Sequence, residues 1–308
     1  MYKRQTVDYQ GFKYRFKGSF DADGQLVTSL PRPGRVPLGL RLKFSAGWDE
    51  CAASVRDPEG AWADGSVRRL PYDGRKSIAP QAGRYTVTCT GPSGVTVPAV
   101  FAGAVLGDGS VRFVGKTADN TPVSLGGSVG FGGEFAFATA LYNKGGNFYG
   151  TFDLGLGPQQ PGVESTQWWL KPWRARDAIY PALPLQECLS TVRRFVAPAK
   201  GERVTGGFNV ALGDGSVRFL NGGSIVDGTS NTILLSEKNT VSFPADNPFN
   251  CSIKINPKTG VFTGRITPTG GEARTFYGAF VQGGGLDYGL GFYLGDGKAG
   301  SVEILPAP

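Results

Sequence analysis

Apolar and polar side chains alternate along much of this chain. Phe12, Tyr14 and Phe16 are interleaved with Lys13, Arg15 and Lys17, and Leu38, Leu40, Leu42 and Phe44 with Gly39, Arg41 and Lys43. Tyr85, Val87 and Cys89 alternate with Thr86 and Thr88. A period of two puts one set of side chains on an apolar face and the other in water, the signature of half-buried β-strands. The runs are short and end at glycine-containing corners. The octapeptide Leu-Gly-Asp-Gly-Ser-Val-Arg-Phe occurs at Leu106–Phe113 and again at Leu212–Phe219. In each copy Asp-Gly suits a two-residue hairpin turn, because both central positions favour positive φ, and Val-Arg-Phe opens a strand. Asp23-Gly24, Asp64-Gly65, Asp227-Gly228 and Asp296-Gly297 sit between apolar runs in the same way.

The pattern predicts hairpins at Gly11–Leu30, with Asp21–Gly24 as the turn, at Val97–Gly115, and at Val123–Leu141 around Phe131–Glu134. Pro31–Pro37 reads as a break, and Asn147–Leu156 as a further strand. Residues 158–200 interrupt the rhythm with prolines and tryptophans. A short strand at Trp168–Leu170 and a short helix near Leu185–Val192 are expected there. Strands resume at Asn231–Ser236, Val241–Phe243, Ser252–Ile255, Gly260–Ile266, Ala273–Val281, Tyr288–Leu294 and Ser301–Leu305. No βαβ alternation is present. The expected fold is all-β: antiparallel hairpins and meanders closing into one or two β-barrel-like units, since closure protects the many strand edges. The expected division is a first barrel-like half at 6–157, a Pro/Trp-rich connection at 158–200 and a second β half at 201–308.

Composition agrees with this. Apolar residues make up 40% of 308, but 48 Gly and 21 Pro supply turns, and 20 Phe, 11 Tyr and 5 Trp supply core, which argues against disorder. The net charge of +7 is spread singly along strands without a clustered basic run, so a solvated strand face is the reading and no nucleic-acid partner is expected. There is no histidine, which removes Ser-His-Asp and Cys-His catalytic arrangements and His-ligated metals. Cys51, Cys89, Cys188 and Cys251 are too far apart in sequence for a zinc knuckle. They allow up to two disulfides in undetermined pairing, with Cys89 pointing to an apolar face as a buried thiol. Asp21-Ala22-Asp23-Gly24 resembles the start of a calcium loop but lacks the later ligands. No metal or cofactor is expected. No apolar run is long enough for a transmembrane helix. An outer-membrane barrel is disfavoured because its strands would be longer, with an apolar outer band.

Asp8, Asp21, Asp23, Asp108 and Asp214 fall mostly at turns, where Asp has a local hydrogen-bonding role, so no catalytic residues are assigned and no enzyme is expected. The candidate ligand-binding residues are Trp168, Trp169 and Trp173, which could form a stacking platform for sugar rings, helped by Tyr142 or Tyr149. The competing reading is that these indoles pack the connection against a barrel end.

Met1-Tyr2-Lys3-Arg4-Gln5 is the translation of GTG TAT AAG AGA CAG, a transposon end used in sequencing libraries, when GTG is the start codon. Residues 1–5 are therefore expected to be adapter read-through in a metagenomic assembly, with upstream sequence, including any signal peptide, lost. From Thr6 onward, Phe16–Gly24, Ala82–Val87, Ile255–Gly264 and Tyr288–Leu294 resemble, in the expected order, a C-terminal β-rich module of large secreted or surface proteins of Verrucomicrobia and related bacteria. The resemblance implies a secreted or cell-envelope location and a non-catalytic structural or adhesion role. The partners it implies are other domains of the same long chain; polysaccharide is the alternative partner, drawn from the tryptophans of residues 158–200. Asn209–Phe219 and Asp227–Leu234 are also similar to pilin-like proteins of Planctomycetes. That pattern, however, has its motifs in the opposite order and carries an upstream histidine absent here.

Overall fold

The computed structural model describes residues 5–9, 12–47, 50–60, 62–68, 72–91, 95–157, 162–181, 183–208, 214–223, 225–244, 247, 249–268, 270–283 and 287–307. Met1–Arg4, most of the expected read-through, lie outside them. Nearly all regular secondary structure of the described chain is strand, and the chain divides into two compact units, Met1–Pro71 and Tyr72–Pro308.

In the first unit β1 (Gln5–Tyr9) pairs antiparallel with β2 (Phe12–Phe16). A separate four-stranded meander is formed by β3 (Gln25–Arg32), β4 (Arg35–Phe44), β5 (Glu50–Arg56) and β6 (Trp62–Arg68). The alternation of β4 buries Leu38, Leu40 and Leu42 with Phe16, Leu26, Leu30 and Cys51. Three local expectations change. The Gly11–Leu30 hairpin does not form as a ladder, because β2 pairs with β1 and β3 pairs with β4. Asp21 still makes a turn, its Oδ1 accepting from the N–H groups of Asp23 and Gln25. Pro31–Pro37 is a tight hairpin rather than a break, with Gly34 at φ +69° supplying the reversal. Asp64-Gly65 lies inside β6, itself exposed, and the turn falls at Asp57–Gly60, where Gly60 has φ +93°.

The second unit holds two eight-stranded antiparallel sheets. In the first, β7 (Gly83–Thr90), β8 (Ala99–Val105), β9 (Ser110–Thr117), β10 (Pro122–Ser128), β11 (Glu134–Leu141), β12 (Gly146–Asp153), β13 (Ser165–Lys171) and β14 (Leu183–Phe195) run as an up-and-down meander. β14 pairs back onto β7. The two ends of the sheet, β10 and β11, come side by side without a ladder, so the barrel is nearly closed with one seam. The Val123–Leu141 hairpin expected from sequence is this seam. In the second sheet, β15 (Asp214–Leu220), β16 (Thr229–Leu235), β17 (Val241–Ser242), β18 (Ser252–Asn256), β19 (Val261–Ile266), β20 (Arg274–Val281), β21 (Tyr288–Leu294) and β22 (Ala299–Pro306) repeat the scheme. β22 pairs back onto β15, and a bridge between Thr240 and Lys254 spans the seam.

Residues 158–200 are therefore not a connection between halves. Of them, β13 and β14 complete the first barrel, and the expected helix at Leu185–Val192 is the middle of β14. The reason is a period of two: Cys188, Ser190 and Val192 alternate into the interior. Pro172 and Pro181 sit in the β13–β14 loop, Pro198 follows β14, and Pro184 is at the start of a strand, where a missing N–H is tolerated.

The two interiors are solid. Phe101, Phe113, Phe135, Phe148, Phe152 and Trp169 are fully buried in the first, with Phe101 and Phe152 rings 5.7 Å apart and Phe137 and Phe152 4.6 Å apart. One device recurs. Phe101-Ala102-Gly103 on β8 faces Phe113-Val114-Gly115 on β9, so that Phe101 is opposite Gly115 and Phe113 opposite Gly103. In the second barrel Phe262-Thr263-Gly264 faces Phe276-Tyr277-Gly278 with the same reciprocal register. Atoms of each ring occupy the space a side chain would take at the glycine across from it.

The second copy of the octapeptide does not repeat the first. Asp108-Gly109 is a turn, with Gly109 at φ +78°. Asp214-Gly215 is strand, ladder-bonded to β16 and β22, and the Phe208 ring fills the space beside Gly215. Leu212 and Gly213 lie outside the described residues. The outward faces of β7 and β8 pack on those of β20 and β21. Thr86 and Thr88 are consequently as buried as Val87 and Cys89, and Thr86 Oγ1 donates to the Phe280 carbonyl at 2.7 Å.

Candidate functional site

In an up-and-down barrel, alternate turns share an end. The β9–β10, β11–β12 and β13–β14 connections of the first barrel therefore meet, and they bring together five polar side chains, Asp119, Tyr142, Lys171, Arg174 and Asp177. Lys171 is the last residue of β13, in the inward phase already set by Gln167 and Trp169, so its ammonium enters the barrel end instead of water. Its Nζ lies 2.6 Å from Asp119 Oδ2 and 2.5 Å from Asp177 Oδ2, and the side chains of Lys171 and Asp119 are each 2% exposed. Removing such charges from water costs several kcal/mol per ion, which only close partners offset. Arg174, 3.7 Å from Asp177, brings the cluster to two cations and two anions.

Asp119 belongs to the β9–β10 turn. Its Oδ1 accepts from Thr117 Oγ1 at 2.7 Å and from the Thr121 N–H at 3.1 Å. Its Oδ2 accepts from Tyr142 Oη at 2.8 Å as well as from Lys171. Burial pushes the Asp119 carboxyl up, but the donors Lys171, Thr117 and Tyr142 outweigh it, and the net pKa lies below the usual carboxylate value. Tyr142 accepts from Trp169 Nε1 at 3.0 Å and is raised by burial and by the Asp119 charge. The Tyr142 ring also lies under Lys171 Nζ, 4.7 Å from its centroid. Tyr142, Asn143 and Lys144 are consecutive left-handed residues, with φ of 53°, 55° and 72°. Each non-glycine left-handed residue costs on the order of 1 kcal/mol, so this short turn holds the phenol in place at a price met by the contacts around it.

The Tyr142–Asp119 hydrogen bond also ties the two sides of the seam. Asp119 precedes β10, Tyr142 follows β11, and no ladder joins those strands. Sequence alone proposed none of Lys171, Asp119, Asp177 and Arg174, and named Tyr142 only as a helper of the tryptophan platform. The available signal was Lys171 itself, a charge on the apolar phase of an alternating strand.

The three tryptophans do not share a face. Trp169 is fully buried in the first barrel, because consecutive strand residues point to opposite sides. Trp168 points outward and stacks on Tyr149 across the β12–β13 ladder, with ring centroids 5.4 Å apart and planes 17° from parallel. Trp173, in the β13–β14 loop, is 72% exposed. The platform of three is thus reduced to an outer pair, Tyr149 and Trp168, with Trp173 separate. A cleft of about 610 Å³ lies where the two barrels meet, lined by Arg84, Ala102, Leu106, Val114, Val261 and Tyr277 among others.

All four cysteines are free and buried. Cys89 and Cys188 are neighbours in the first barrel, and burial raises the Cys89 thiol well above its ordinary value. Asp73 and Asp108 are held low by backbone N–H groups of their own turns, the local role expected for turn aspartates. Comparison with known protein families, curated proteins and solved structures finds no match to this chain.

Proposed function

We propose that this chain is a non-catalytic structural module of a larger secreted or cell-surface bacterial protein. The observation that supports this best is that both barrel interiors are filled with interlocking aromatic rings, which leaves the outer faces as the working surfaces. Two barrels joined over a buried face make a stiff unit suited to spacing or displaying neighbouring domains. The resemblance of Phe16–Gly24, Ile255–Gly264 and Tyr288–Leu294 to bacterial surface modules points the same way. The test uses the native gene product. Antibodies raised against this chain are expected to label intact producing cells or their medium. Labelling confined to permeabilised cells would refute the proposal.

A second reading, polysaccharide binding, rests on the Tyr149–Trp168 pair. Stacked aromatics on an outer sheet face offer a flat apolar surface of the kind sugar rings cover. Affinity electrophoresis through gels containing soluble polysaccharides tests it. Retardation that disappears in Trp168→Ala supports the reading; equal mobility of wild type and variant in every gel ends it.

A further inference from the structure

We infer that Lys171 and Asp119 condense into an intramolecular amide between Nζ and Cγ, with Asp177 as the proton-transfer group. This goes beyond the proposed function and does not depend on where the protein is located.

The geometry supplies each part the reaction needs. The nucleophile and the carboxyl are in contact, 2.6 Å from nitrogen to oxygen, and both are shielded from water. Holding two reactants this way replaces a bimolecular encounter by a pre-positioned one, an effect worth effective molarities on the order of 10⁵ M or more. The carboxyl is fixed on both oxygens. Thr117 Oγ1 and the Thr121 N–H point at Oδ1, where negative charge develops when nitrogen adds to the carbon. Tyr142 Oη donates to Oδ2, the oxygen that faces the lysine. A second carboxylate, Asp177, is 2.5 Å from the same Nζ and so can accept its protons.

The steps balance as a condensation. A proton moves from the Lys171 ammonium to Asp177 and on to Asp119 Oδ2, leaving a neutral amine and a neutral acid. The nitrogen lone pair attacks Cγ, forming the N–C bond, while Oδ1 takes the negative charge. A second nitrogen proton passes through Asp177 to Oδ2. The Cγ–Oδ2 bond breaks, Oδ2 departs as water, and the carbonyl reforms at Oδ1. Asp177 ends as the carboxylate it began as, still beside Arg174. No oxidant, reductant or cofactor takes part. The driving force is the replacement of two buried charges by a neutral amide at a site where hydrolysis lacks water. The product would link the β9–β10 turn to the end of β13, residues 52 apart in sequence.

The test is the intact mass of the full chain. Wild type is expected to be lighter than its sequence by one water, about 18 Da. Fragmentation of digested wild type is expected to place the bond between Lys171 and Asp119. Lys171→Arg keeps the charge and is expected to restore the full mass, and Asp177→Asn to restore it or slow the loss. A wild-type mass equal to the sequence overturns the inference. So does a water loss that persists in Lys171→Arg, which would mark a succinimide elsewhere, or a bond traced to Asp177. Because the wild-type mass and fragments are decisive alone, poor folding of a variant leaves the test intact.

Discussion

The reciprocal Phe–Gly pairs make a sharp prediction for Gly115→Ala. Gly115 is not in the left-handed region, so alanine is permitted by its backbone conformation. Alone, that change would favour folding by roughly 0.4–1 kcal/mol through the unfolded chain. The surroundings reverse the sign. A Cβ there would lie 2.0 Å from the Val100 carbonyl oxygen and 2.6 Å from Phe101 Cδ1. The ring could rotate away only by leaving its packed place, and the carbonyl belongs to β8, which is laddered on both sides to β7 and β9. Overpacking costs about 1–3 kcal/mol, and displaced ladder bonds add about 1 kcal/mol each, so a net loss of about 2 kcal/mol is expected. For a unit of this size that is a fall of about 4–8 °C in melting temperature. Gly126→Ala, on β10 of the same barrel, is the control: the nearest atom to its new Cβ would be the Val111 oxygen at 3.8 Å, an ordinary contact. It should match or slightly exceed wild type. Differential scanning calorimetry of the whole chain measures both. If Gly115→Ala melts together with Gly126→Ala, the rings do not occupy the glycine positions and the account of the core fails.

Cys251 is pushed up to about 12 by burial from an ordinary value of 9.0. A raised folded pKa means stability that is whole below pH 9 and lost as pH rises toward 12, on the order of 4 kcal/mol in all; denaturant midpoints at pH 8 and pH 11 should diverge less in Cys251→Ala than in wild type. The four buried thiols should react with a thiol reagent only on unfolding, so fast labelling of any of them in native protein would contradict their burial. Tyr142→Phe leaves Trp169 Nε1 without its acceptor and removes a donor from Asp119, a loss of about 1–3 kcal/mol. Hydrogen exchange should then quicken in β10 and β11 before β7 and β14, and uniform quickening would argue against a role at the seam.

The strands were legible in the sequence wherever one face is core and the other water, as at Leu38–Phe44 and Ser252–Ile266. Alternation fails where both faces are covered. Thr86 and Thr88 are buried against the second barrel, so their polarity says nothing of exposure. Turns were legible only in part, because Asp-Gly is permissive rather than compelling. At Asp108 the flanking strands β8 and β9 pair with each other and the corner closes; at Asp214 the neighbours on both sides are β16 and β22, and the same dipeptide is drawn into the ladder. Proline and tryptophan density left β13 legible only as the short strand at Trp168–Leu170 and concealed β14. The polar cluster was the least visible feature, because its members come from three turns and meet only once the meander curls.

That curling also shows which unit repeats. The hairpin octapeptide does not, since its two copies adopt different structures. The barrel does: each has eight strands in meander order, its last strand paired to its first, and one reciprocal Phe-x-Gly pair inside. The two differ at the seam. The second is bridged by backbone between Thr240 and Lys254. The first has no such ladder between β10 and β11; one end of that seam is held by the chain itself through Val129–Gly133, and the other by Tyr142 donating to Asp119. Lys171, reaching the same carboxylate from β13, extends that tie past the seam to the far side of β12. A buried ion cluster is a costly way to stabilise a fold. Its position at the β10–β11 seam of the first barrel gives it a mechanical reason to be there, and an amide at that point would make the closure permanent.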